Sequence, residues 1–290
     1  MRRQGPHFLC IGMPKAGTDW LYEAFRANKN YLMLPIKELH HFDQRHADGR
    51  FEKLQERLER RPKDTALMVK KWDVFQRRLD AYRDSNYSHE SYRALFSIGR
   101  KKLSGDITPA YCTLPPEEVA EIRQVLPQVK VLFLVRHPVE RAWSHYLMIL
   151  RRELREYKFS VLGKLKKKTL EDMRKTYTLH QFFSSNNMLQ RSFPSHVMEN
   201  WSQFEDDLMI IDFQDIVQNP FDVCKKVFEF TGAPHAECLT PEVFTLPENR
   251  KSKSKSLPMT EEDRKFLREF FADEIKACKT HFPEIAKGWE

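Results

Sequence analysis

The sequence has little cysteine, and what it has is poorly placed for cross-linking. Cys10, Cys112, Cys224, Cys238 and Cys278 are odd in number and widely spaced, with no C-x-x-C pair. That argues against a disulfide framework or a cysteine zinc site and favours a reducing compartment. Those lying in apolar runs are expected to act as small core residues. Long hydrophobic runs are missing as well, and no window approaches the roughly 18 apolar residues of a membrane span. After Met1-Arg2-Arg3 the apolar stretch is only Phe8 to Met13, interrupted by Gly12. A secretory signal needs roughly 7–15 apolar residues there, so a cytoplasmic protein is expected. Internal repeats and low-complexity tracts are also absent.

What is present suits a soluble globular protein with a true core: 290 residues, 41% hydrophobic and 31% charged. That length serves one large α/β domain or two small ones. The net charge of +8 suits an anionic partner, whether nucleic acid, nucleotide, acidic glycan or lipid head group, and equally suits a solvated basic surface.

Periodicity lays out the chain. Phe8-Leu9-Cys10-Ile11 reads as a buried strand ending at Gly12, and Asp19 to Asn28 has helical spacing with Trp20, Leu21, Ala24 and Phe25 on one face. Residues 44–98 are rich in Arg, Lys and Glu and read as mainly helical. Pro115-Pro116 opens a helix through Leu126, since proline is tolerated in a first turn. Val129 to Val135 is a near-continuous apolar run, as in a central parallel strand, followed by a helix from Val139 to about Arg155. Leu208 to Phe213 is a further strand, and the helix Asp222 to Thr231 stops at Gly232. Thr260 starts a last helix with Glu262 and Asp263 in its first turn. Alternating strands and helices predict a single α/β domain over residues 1–290, with a P-loop-like central parallel sheet flanked by helices. The basic stretch 156–175 could be a lid, an acceptor site or a solvated helix, and Glu248 to Ser256 is a basic, serine-rich loop.

Gly12-Met13-Pro14-Lys15-Ala16-Gly17-Thr18 lies between a strand and a helix. Backbone N–H groups and a helix N-terminus make such a turn an anion site. The spacing approaches G-x-x-x-x-G-K-[ST], but the lysine expected after the second glycine is missing: Thr18 stands there, and the lysine comes earlier, at Lys15. The strand at Val135 likewise ends without the aspartate that would help hold magnesium. It ends in Arg136, a cationic fork suited to phosphate, with Ser144 two helical turns on.

These two departures resemble PAPS-dependent sulfotransferases, closest to the heparan sulfate sulfotransferase-like and bacterial branch. Pro14 to Leu21 is similar to the family's 5′-phosphosulfate loop, K-[SAG]-G-T-[ST]-[WA]-L. Arg136, Pro138, Arg141 and Ser144 match the 3′-phosphate motif R-[DN]-P-x-x-R-x-x-S, with His137 in place of Asp or Asn. Lys251-Ser252-Lys253-Ser254-Lys255-Ser256-Leu257-Pro258 resembles K-S-K-G-R-x-H-P, which closes over the nucleotide, with Ser254 and Lys255 departing from it. Lys37-Glu38-Leu39-His40-His41-Phe42-Asp43 resembles K-E-x-H-F-F-D. Gly105 to Tyr111 resembles E-K-[ST]-P-x-Y, with Asp106 for Glu and Ile107 for an active-site lysine of the heparan branch.

The resemblance implies a PAPS-dependent sulfotransferase releasing 3′-phosphoadenosine 5′-phosphate (PAP). Glu38 would be the general base supported by His40, and Lys15 would stabilise the leaving phosphate. Lys15, Ala16, Gly17, Thr18, Asp19 and Trp20 would hold the phosphosulfate, Arg136 and Ser144 the 3′-phosphate. Arg250, Lys251, Ser252, Lys253, Ser254 and Lys255 would cover the nucleotide, and His41, Asp106 and Tyr111 would border the acceptor. His40 and His41 are competing bases, since imidazole titrates near neutrality. As metal ligands the two lack a third partner in a spaced motif, and no metal is expected. The acceptor would be a small molecule, glycan or lipid, met through a helical insertion at 44–87 and an acceptor-side or lid region at 147–185. A P-loop kinase or NTPase and a non-catalytic nucleotide or polyanion binder are the alternatives. Nucleic acid is not expected, for want of a recognition element. Oligomeric state is not legible in the sequence.

Overall fold

The computed structural model describes residues 5–45, 47–59, 66–99, 102–159, 168–184, 190–233 and 257–290. In chain order the elements begin with β1 (Phe8–Gly12), α1 (Thr18–Ala27), α2 (Arg50–Glu59), α3 (Ala66–Asp84), α4 (His89–Leu95) and β2 (Gly105–Ile107). Then come α5 (Pro116–Val125), β3 (Lys130–Val135), α6 (Pro138–Phe159), α7 (Leu170–Thr176), α8 (Leu179–Phe183) and α9 (Pro194–Asn200). The chain finishes with β4 (Leu208–Asp212), α10 (Phe213–Gln218), α11 (Pro220–Phe230), α12 (Glu261–Phe270), α13 (Ala272–His281) and α14 (Pro283–Ala286). The chain falls into two compact units: residues 1–13, 17–135 and 200–247, and residues 14–16, 136–199 and 248–290.

The first unit carries a four-stranded sheet in the order β2-β1-β3-β4, parallel throughout. Its two central strands are the apolar runs Phe8–Gly12 and Lys130–Val135, buried along nearly their whole length. Continuous burial is what a parallel strand covered on both faces requires, so the α/β class with a helix-flanked parallel sheet is as the sequence indicates. Phe8 of β1 stacks on Phe25 of α1 at 4.1 Å, and Phe25 and Tyr31 both meet Phe228 of α11, at 5.6 and 5.5 Å. Each such ring taken from water stabilises the fold by about 1.5–3 kcal/mol. Strand β2 was not evident from periodicity. It has three residues and begins at Gly105, where any Cβ would fall inside the Phe8 ring.

The second unit is helical. α6 runs on past the expected Arg155 to Phe159. Thr169 and Thr178 close capping boxes on α7 and α8, and Thr260 does so on α12 through Asp263. Asp263 also receives Arg174 Nη2 on both oxygens, at 2.8 and 3.0 Å. Buried Glu274 of α13 accepts from the Ser195 amide and hydroxyl at 2.9 and 2.6 Å. Among the described residues, no helix is long and apolar enough to cross a membrane. Cys10, Cys112, Cys224 and Cys278 are buried thiols outside any disulfide.

Candidate active site

Helix α1 opens on Gly17, whose φ of 103° is open to glycine and strained for any side chain, and no side chain caps it. A Cβ at 17 would also press on Ile216 Cδ1 at 3.1 Å. Amides of a first helical turn point out of the N-terminal end and favour an anion. Thr18 of this turn is buried, and Asp19 follows it.

Lys37 reaches this turn from the following loop. Its side chain is 5% exposed, and its ammonium lies 2.5 Å from Asp19 Oδ1 and 3.4 Å from both Thr18 Oγ1 and Glu38 Oε1. Glu38 is 38% exposed, and its other oxygen is 3.8 Å from His40 Nε2. His40 is in turn fixed by Asp43 Oδ2, 2.6 Å from its Nδ1. Carboxylate, imidazole and second carboxylate thus form a chain that leads outward to Glu38. The backbone here is strained. Glu38 and His40 have φ of 65° and 53°, a left-handed region that non-glycine residues adopt at a cost and that clusters at functional sites.

The three residues the sequence assigns to an acceptor border are buried. His41 stacks flat on Tyr92 at 4.0 Å, and its amide donates to the Tyr111 hydroxyl at 2.9 Å. Tyr111 and Tyr92 donate to Asp106 Oδ2 at 2.8 and 3.0 Å, and Thr108 donates to Oδ1 at 2.8 Å. Burial pushes the Asp106 carboxyl up, while these three hydroxyls pull it back. The cluster lies beneath the Glu38 loop, since Thr108 Oγ1 also meets the His40 amide at 3.5 Å.

In the second unit, Arg136 Nη1 donates to the Lys15 carbonyl at 3.0 Å. Burial lowers the Arg136 pKa, so an anion beside it would be stabilised. His137 Nδ1 accepts from the Val139 amide at 3.2 Å, in the first turn of α6. Burial lowers its pKa and so keeps that lone pair available. Ser144 is half-buried on α6. Arg141 is fully buried and donates to Ser192 Oγ at 2.6 Å and towards the Pro14 carbonyl at 3.5 Å, a bracing position. His145 is 3% exposed, and among the described residues its Nδ1 has no hydrogen-bond partner. Burial first, then Arg141, Arg191, Lys15 and Arg152, bring its pKa down to about 3. Four cations that suppress one imidazole's charge make a field suited to an anionic ligand. Within this unit, Lys15, Arg136 and Arg141 therefore present cationic groups suited to an anion. Arg250, Lys251, Ser252, Lys253, Ser254 and Lys255 lie outside the described residues. Among the described residues, no group of His, Cys, Asp and Glu is arranged to hold a metal ion.

Sequence reasoning quoted Lys37 within a motif without giving it a role, and it missed Arg50, a buried arginine that donates to the Leu39 and His40 carbonyls. Lys37 had a signal in its place beside Glu38; Arg50 had none, being one arginine in a charged stretch.

Known structures share this architecture. A sulfotransferase from Alicyclobacillus acidocaldarius superposes with a TM-score of 0.62 at 17% identity, covering 97% of each chain. The sulfotransferase domain of the Synechococcus PCC 7002 olefin synthase gives 0.52 at 16% identity, over 94% of this chain and 96% of that one. At such identities the likeness is one of fold. No functionally curated protein matches. The model of the sulfotransferase family matches residues 6–237, so the chain belongs to the sulfotransferase family.

Proposed function

We propose that this chain transfers a sulfuryl group from PAPS to a hydroxyl or amine and releases PAP. The observation that carries the reading is the position of Lys37. Its ammonium lies 3.4 Å from Thr18 Oγ1, in the turn suited to a phosphosulfate, and 3.4 Å from Glu38 Oε1. One ammonium therefore separates the anion turn from the candidate base.

PAPS supplies an activated sulfuryl group on a phosphate leaving group. Lys15, Ala16, Gly17, Thr18, Asp19 and Trp20 hold the phosphosulfate, Arg136 and Ser144 the 3′-phosphate, and Arg250 to Lys255 cover the nucleotide. The acceptor oxygen or nitrogen forms its bond to sulfur as the bond from sulfur to the bridging oxygen breaks. The electron pair stays with the departing phosphate, where Lys15 neutralises it, and Glu38 takes the acceptor's proton. His40, held by Asp43, orients Glu38. A sulfuryl group carries less charge than a phosphoryl group, so these cations suffice without a metal. Ile107 stands where the heparan branch has a lysine, and Lys37 supplies a cation 3.4 Å from Glu38 Oε1. That difference favours an acceptor other than heparan sulfate.

Calorimetry of PAP against ADP and ATP with magnesium, on the wild type and Arg136→Ala, tests the reading. Tight metal-free PAP binding that is lost in the variant is expected. Preference for ATP with magnesium, or indifference to Arg136, overturns it.

A further inference from the structure

The stretch 44–87, expected from the sequence to shape the acceptor pocket, sends Arg50 and Tyr82 inward against the loop that carries Glu38. Arg50 opens α2, and its guanidinium is buried. Nη1 donates to the carbonyls of His40 and Gln44, each at 2.6 Å. Nη2 donates to the Leu39 carbonyl at 2.9 Å and the Tyr82 hydroxyl at 2.7 Å. The Tyr82 hydroxyl, from α3, also meets His41 Nδ1 at 2.7 Å. Every one of these groups belongs to, or touches, the loop that carries Glu38 and His40.

Three facts give this clamp a purpose beyond filling space. Among the described residues its acceptors are carbonyls and a hydroxyl, with no carboxylate. A buried cation held by neutral acceptors is costly, and an apolar side chain would fill the site at least as stably. The loop is strained at Glu38 and His40, and such backbone persists only where the surroundings over-determine it. Lastly, a planar guanidinium fixes several acceptors in one geometry, which a lysine ammonium does not.

We infer that Arg50 is a positioning residue for sulfuryl transfer. By gripping the carbonyls of Leu39, His40 and Gln44, it holds Glu38 and His40 in the orientation in which the carboxylate receives the acceptor's proton. The inference rests on the reading of Glu38 as base. It makes α2 and α3 part of the catalytic framework.

Arg50→Lys, which keeps the charge and loses the fork, is the test. PAP affinity is measured by calorimetry, and PAP release from PAPS is followed with water or p-nitrophenol as acceptor. Backbone amide exchange is followed over residues 38–44. Expected are unchanged PAP affinity and Michaelis constant for PAPS, with turnover lower by roughly 10–100-fold, the scale of an ångström-level misplacement. Exchange over 38–44 rises, and guanidinium at a non-denaturing concentration partly restores the turnover of Arg50→Ala. PAP binding with wild-type turnover in Arg50→Lys overturns this inference alone. Failure of the wild type to bind PAP overturns the donor reading, and this inference with it. Should neither probe accept the sulfuryl group, unchanged exchange over 38–44 overturns the clamp and raised exchange supports it.

Discussion

Replacing Lys37 by methionine should separate stability from activity. Its ammonium is buried, with the side chain 5% exposed, but its carboxylate partners are not: Asp19 is 51% and Glu38 38% exposed. Removing one member of a buried ion pair is damaging when it strands a buried charge. Here both carboxylates are already part-exposed to water, and pairs with so exposed a member contribute roughly 0–1 kcal/mol. Methionine fills similar space without the desolvation cost of an ammonium. Unfolding free energy in urea is therefore expected to stay within about 1 kcal/mol of wild type, or to rise. Transfer should behave otherwise. The lost interaction is a charge-assisted hydrogen bond beside the reacting groups, worth about 1.5–3 kcal/mol, or roughly a 10–150-fold loss of turnover. Turnover is read as PAP release from PAPS, alongside calorimetric PAP affinity, which should hardly change. A variant with wild-type turnover, or one whose activity loss tracks unfolding, would refute the reasoning.

Glu38→Gln keeps the shape and removes the base, so turnover should fall by about 10²–10⁴ while PAP affinity holds; an intact rate would pass the base's role to a histidine. His145 gives a pH signature. Its pKa is near 3 in the fold and about 6.5 in an unfolded chain, so the unfolded state binds more protons between those values. The stability it contributes is present above pH 6.5 and is lost as pH falls towards 3. Between pH 7 and 5 His145→Phe should lose about 2 kcal/mol less stability than wild type in urea titrations; parallel losses would show that the imbalance lies elsewhere.

Local chemistry explains how far the sequence could be read. β1, β3 and α1 are plain in it because each buries a continuous run or one face, and burial leaves a periodic trace. The turn ahead of α1 is plain because a strand, Gly17 and a helix must follow one another there. β2 leaves almost no trace: three residues, one of them glycine, are strand only because β1 lies beside them. The motif around Asp106 and Tyr111 was visible, but not the direction of its side chains, which depends on Tyr92 and His41 arriving from other segments. Arg50 is hidden for the opposite reason. In a stretch crowded with Arg, Lys and Glu, a buried guanidinium reads the same as a solvated one until its carbonyl partners are known.

The glycine at 105 has a bearing on where the candidate base stands. Two short parallel strands offer several alignments of nearly equal hydrogen bonding, and a slip of one residue turns every side chain to the opposite face. Phe8 removes that ambiguity, because its ring occupies the space of any side chain at its partner position, and only Gly105 leaves that space empty. The alignment is keyed like a lock with one notch. Once keyed, Asp106 sits across from Leu9 and the Thr108 amide meets the Cys10 carbonyl. The hydroxyls of Thr108 and Tyr111 then stand where the amides of His40 and His41 need them. A missing side chain at the sheet edge thus sets the height of the floor on which Glu38 rests.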